Sequence, residues 1–102
     1  MAEEDDREVR QLRLMEDRLS AFARGEVPIG RTISDLRGLQ LELEQPPQEW
    51  RQLFIESWGE LEIAYAAALD RGTPAPDAKD PALREAVERM IALVDERIAL
   101  TD

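Results

Sequence analysis

Carboxylates are the only abundant side chains in this sequence with the makings of chemistry: 23 Asp and Glu stand against 13 Lys and Arg, with no His and no Cys. Facing acids are the minimum equipment for general acid–base work or for holding a hard cation. Glu56 and Glu60 stand four apart, about one helical turn, and Glu42 with Glu44 comes just before Pro46. A carboxylate metal cluster can be imagined there. The dimetal bundle pattern, however, joins its glutamates to Glu-x-x-His motifs, and this chain has no histidine to supply them. A nucleophilic triad would lack its base, and thiolate chemistry its sulfur. Gly25 and Gly30 lie five apart without a following Lys-Ser or Lys-Thr pair, so neither nucleotide fingerprint is met. The expectation is a chain that is not an enzyme, with no catalytic residue, no cofactor and no metal, whose acids are solvated surface groups.

The formal charge of -10 is distributed along the chain rather than gathered in a tail. Such a surface repels nucleic acid phosphates and anionic lipid headgroups, and attracts basic proteins. Arg7, Arg10, Arg13 and Arg18 do not make a nucleic-acid stripe, because Glu4, Glu8, Glu16 and Asp17 are interleaved with them. Intrahelical pairs of Glu3 with Arg7 and Asp6 with Arg10 are the expected use. The opening Met1-Ala2-Glu3-Glu4-Asp5-Asp6 lacks the basic and apolar parts of a signal peptide, and no apolar run of about 18 residues occurs. The expected compartment is the cytoplasm, without membrane or nucleic acid as partner.

The elements that must position these acids are helices. Val9, Leu12, Met15, Leu19 and Phe22 recur at three- and four-residue steps and predict a helix over 5–24, with Leu14 off the stripe. Two glycines and a proline between Gly25 and Gly30 then turn the chain. Thr32 or Ser34 can cap a second helix over 33–45, faced by Ile33, Leu36, Leu39 and Leu43, with Gln40, Glu42 and Glu44 largely off that face. The third helix, 47–71, carries Trp50, Leu53, Phe54, Trp58, Leu61, Tyr65, Ala68 and Leu69 on its apolar stripe and stops at Gly72. Four of the five aromatic residues lie on it, so it should be the central helix. Asp80 and Pro81 open a fourth helix over 81–100, as N-cap and first helical residue, and Leu83, Val87, Met90, Val94 and Ile98 line it. Four amphipathic helices joined by short loops bury their stripes against one another. The fold class is therefore all-α, an antiparallel bundle of about four helices in one domain, 1–102.

The periodicity of Trp50, Phe54, Trp58 and Tyr65 assigns their rings to packing rather than to a binding platform. The opposite face of the same helix carries Gln52, Glu56, Glu60 and Ile63, with Glu49 and Ile55 at its edges. Acids there would speed encounter with a basic partner, and aliphatic groups would supply buried contact. Glu42, Glu49, Gln52, Glu56, Glu60 and Ile63 form the candidate partner-binding set; an ordinary wet helix face is the competing reading.

The stretch Ile33-Ser34-Asp35-Leu36-x-x-Leu39, followed by Pro47-x-x-Trp50-x-x-x-Phe54-x-x-x-Trp58-x-x-Leu61-Glu62-x-x-Tyr65-Ala66-x-Ala68-Leu69-Asp70-x-Gly72, resembles small bacterial helical immunity proteins. These are encoded beside the toxins of polymorphic-toxin and contact-dependent inhibition systems. The resemblance implies binding of a cognate toxin domain in the cytoplasm and blockage of its active site or substrate groove. Many such toxins attack nucleic acids and present basic clefts, which an acidic helix face would complement. The matching positions are core and turn residues, so the resemblance transfers no toxin-contacting residue. A helical adaptor or self-associating module unrelated to toxins is the alternative.

Overall fold

The computed structural model describes residues 2–44 and 46–101, with the side chains of 7–44 and 46–100. The described residues form four helices: α1 (Ala2–Ala23), α2 (Ile29–Leu41), α3 (Gln48–Arg71) and α4 (Pro81–Thr101). The pairs expected of Glu3 with Arg7 and Asp6 with Arg10 lie outside the described side chains.

Glycine ends two of these helices in the same way. Gly25 and Gly72 adopt φ of +77° and +67°, the left-handed region that a Cβ disfavours. The residue after each reaches back five positions, Glu26 N to Ala21 O at 2.9 Å and Thr73 N to Ala68 O at 3.0 Å, closing carbonyls that would otherwise be orphaned. Helix α4 starts as its sequence predicts: the carboxylate of Asp80 accepts a 2.9 Å bond from Ala82 N, and Pro81 takes the first helical position.

The second helix departs from expectation at both ends. It begins at Ile29 behind Pro28, whose extended backbone (φ -70°, ψ 157°) serves as N-cap, so neither Thr32 nor Ser34 caps it. Thr32 instead sits inside the first turn, fully buried, with its hydroxyl donating to Pro28 O at 3.0 Å. The physical reason is Ile29, which is 1% exposed and gains its burial only if the helix starts before it. Gly30, expected in the turn, is helical. A Cβ there would meet the Tyr65 hydroxyl at 2.9 Å, so its missing side chain lets the phenol ring lie against α2. At the other end α2 stops at Leu41. Tightened turn bonds, Glu42 N to Leu39 O and Leu43 N to Gln40 O, both 3.2 Å, fold Leu43 back into the core.

Among the described residues each helix packs backbone to backbone against two neighbours, in the order α1, α2, α3, α4 and back to α1, while the diagonal pairs lie further apart. The third helix is therefore not central. It occupies one corner of a closed square, because four stripes each about a third of a helix wide fill a common axis without any helix entering it. Cross-seam partners run in opposite directions, as Trp50 to Leu93 and Ser57 to Arg89 show, so α3 and α4 are antiparallel. Leu12, Met15, Leu19 and Phe22 of α1 face Leu83, Val87, Met90 and Val94 of α4 and the rings of α3 within one core. Leu53 and Leu69, expected on the α3 stripe, are exposed, since burial is centred on Trp50, Phe54, Ser57, Leu61 and Ala68 and leaves them at its margins. Gln40, expected off the α2 face, is buried near the end of its helix.

The two tryptophans tie α3 to both flanking helices. The Trp50 indole N–H donates to Leu93 O of α4 at 2.7 Å, and the Trp58 indole N–H to Ile33 O of α2 at 3.0 Å. Both acceptors lie inside helices and offer their second lone pair. Trp50 also stacks on Phe54, with centroids 5.3 Å apart and planes 10° from parallel, an arrangement worth about 0.5–1.5 kcal/mol beyond burial. Trp50→Phe deletes the bond and part of a buried ring and is expected to cost about 1–3 kcal/mol. Trp58→Phe, at a half-buried ring, should cost less. Urea denaturation measures both, and a stable Trp50→Phe protein would show that the α3/α4 bond carries little.

Candidate functional site

The outer surface of α3 follows from the phase of its buried stripe. With Trp50, Phe54 and Leu61 turned inward, Gln52, Glu56 and Ile63 fall on the opposite side, and Ile63 is 71% exposed. Gln48, Glu49, Gln52, Leu53 and Glu56 line one shallow depression at the start of the helix. The Gln52 amide donates to the Glu56 carboxylate at 3.4 Å along this face. Three of the six sequence-nominated residues, Glu49, Gln52 and Glu56, are thus brought together, and Ile63 continues their line two turns further on.

The other two are placed differently. Glu42 follows the last turn of α2 on the side facing α1, where it accepts a hydrogen bond from the Gln11 amide. It borders a groove with Leu14, Arg18 and Asp35, on another side of the molecule. Glu60 leans toward α4 and is paired with the Arg89 guanidinium, which also donates to the buried Ser57 hydroxyl at 3.3 Å. Glu60 is therefore engaged by α4 while remaining about half exposed. Neither residue belongs to the surface that Glu49, Gln52 and Glu56 make, because both spacings wrap them toward a neighbouring helix.

Two features escaped the sequence reading. The first is a cleft of about 240 Å³ between α2 and α3, bounded by Leu36, Arg37, Gln40, Leu41, Phe54, Ile55 and Trp58. Trp58 is thus both a packing residue and a wall of this cleft, whereas Trp50 lies buried away from it. Helical periodicity signals such rings as core; only the pairing of α2 with α3 shows which side stays open. The second is a carboxyl pair on the α1/α4 seam. Glu16 is pushed up to about 7 by a hydrogen bond to Asp95, partial burial and the negative charges of Asp95 and Asp17, with Arg13 opposing. Nearby, Arg97 meets Glu8 at 3.4 Å, both side chains mostly shielded from water.

Elsewhere, charged groups engage one another without gathering. Asp35 of α2 lies 3.5 Å from Arg18 of α1 and 3.7 Å from Arg31 of its own helix, and Arg24 chelates Glu26 at 2.9 Å beside the Gly25 turn. Among the described residues no three Asp or Glu side chains come together as a cation site, and no helix is long and apolar enough to cross a membrane. Set against models of protein families, curated proteins and solved structures, the chain matches none.

The Glu16 pair has a definite pH signature. A carboxyl raised from 4.5 unfolded to about 7 folded adds stability that is complete below pH 4.5 and lost as the pH rises through 7. Glu16→Gln keeps a neutral donor to Asp95 at every pH. The variant is expected to melt above the parent at pH 8 and to show a flatter melting profile between pH 5 and 7. Parallel profiles for the two proteins would remove Glu16 as the cause.

Proposed function

We propose that this protein is a non-enzymatic, acidic helical module that binds another protein through the outer face of α3, in the manner of the immunity proteins its central segment resembles. The observation that carries this reading is the shared depression of Glu49, Gln52, Leu53 and Glu56, a face where carboxylates and an exposed leucine alternate. Acids at the rim steer a basic partner and fix its register, while Leu53 and the outlying Ile63 supply area that leaves water on contact. The flank of α4 adds exposed Glu85, Glu88 and Glu96, so the chain's field of -10 reinforces the same polarity. A toxin domain with a basic substrate groove is the partner this chemistry fits, and occlusion of that groove in the cytoplasm of the producing cell is the proposed action.

The experiment is co-purification with the product of the adjacent upstream gene, followed by titration at low and high salt. Association should weaken with salt, mainly through a slower on-rate. Glu49→Lys with Glu56→Lys should lower affinity by about tenfold or more, roughly 1.4 kcal/mol, with melting nearly unchanged because both residues are exposed. Absence of association at either salt concentration would reject the reading. A concentration-independent dimer in sizing experiments would favour a self-associating module instead.

A further inference from the structure

The seam between α2 and α3 is the thinnest of the four, and the cleft it leaves is mostly apolar. Phe54 and Leu36 form its floor, Trp58 a wall, and Leu41 and Ile55 its lips, the latter two 69% and 44% exposed. Arg37 stands on the α2 rim. At Ile55 the cleft adjoins a second depression that Arg51 and Glu56 both border. Neither Arg37 nor Arg51 is in an ion pair among the described residues.

We propose that this cleft is a docking site for a peptide segment of a partner protein that carries one large apolar side chain flanked by carboxylates. The apolar group enters between Leu41, Ile55 and Trp58, and the carboxylates meet the guanidinium groups of Arg37 and Arg51. Size argues for a single side chain, since about 240 Å³ is below the roughly 300–1,000 Å³ of sites that engulf whole small ligands. A buried apolar anchor inside a polar rim is the usual energetic centre of a peptide contact. Charge decides the flanks: at physiological salt the screening length is about 8 Å, so the groups bordering the two depressions count most, and there Arg37 and Arg51 outnumber Glu56. Arginine also offers carboxylates a bidentate fork.

The site is opposite in charge preference to the outer face of α3, with which it shares the Gln52 and Glu56 edge, and the two are told apart by Arg37 on one side and Glu49 on the other. The test uses the full chain as bait for a random peptide display library, with selected peptides synthesised and titrated by tryptophan fluorescence. Trp50 is buried, so a spectral change reports Trp58. Enriched peptides are expected to hold a Leu, Phe or Trp among two or more Asp or Glu residues, and those titrated carry Leu or Phe, so that the only indoles present are the protein's own. Arg37→Glu with Arg51→Glu, and separately Ile55→Asp, should each weaken them by about tenfold or more, while Glu49→Lys, outside both depressions, leaves them bound. Circular dichroism and melting confirm that each variant is folded, and Arg37→Gln with Arg51→Gln replaces the reversed pair should it unfold. The proposal is overturned if no peptide is enriched, if the enriched peptides are basic or purely apolar, or if they bind the arginine variants as tightly as the parent. Displacement of the peptides by dimerisation of the chain would equally overturn it in favour of a second copy.

Discussion

Two indole N–H groups on opposite flanks of one helix hold the bundle in register. Trp50 reaches a backbone carbonyl of α4 and Trp58 a backbone carbonyl of α2, so α3 is pinned along its length and about its axis at once. Hydrophobic burial alone is nondirectional and would tolerate small slides of helix past helix. A donor that finds its acceptor at one place on each neighbour does not. The remaining polar links across seams repeat this logic more weakly: Arg89 bridges α4 to Ser57 and Glu60, Asp35 bridges α2 to Arg18, and Arg97 bridges α4 to Glu8. The first two are open to water and worth little individually, which leaves the indoles, the core and the shielded Arg97–Glu8 pair to set the geometry.

Much of this architecture could be read before any coordinates. Leu12, Met15, Leu19 and Phe22, and Leu83, Val87, Met90 and Val94, all bury as their spacing requires, and Gly72 and Asp80 end and begin helices in the expected way. Reading failed where a local rule met a tertiary demand. Thr32 has the chemistry of an N-cap, yet Ile29 lies before it and must be covered, so the helix starts early and the threonine turns its hydroxyl inward to Pro28. Leu53 and Leu69 are apolar residues at helical spacing whose phase lies one step off the buried line. Aromatic content pointed to a central α3, but a square of four similar stripes has no central member.

The surface was legible in part for the same reason. Glu49, Gln52 and Glu56 share a face because they lie at similar phases of one helix, which sequence reveals directly. Glu42 and Glu60 look outward on a wheel drawn for one helix alone, and only the neighbours Gln11 and Arg89 claim them. The cleft of Leu41, Ile55 and Trp58 belongs to two helices jointly, so no single-helix pattern announces it. The outcome is a molecule with an acidic outer wall on α3 and an apolar notch with arginine rims beside it. Net charge therefore describes its solubility better than its local preferences.

The contact of Glu8 with Arg97 has a topological consequence. It sets the opening turns of the first helix beside the closing turns of the last, so every helix has a partner on each side and the chain closes into a loop of four adjacent struts. Which strut comes first in the gene is then a matter of history more than of mechanics. A permuted chain, joined across that end and opened instead within the proline-rich connection at 73–79, would retain all four seams.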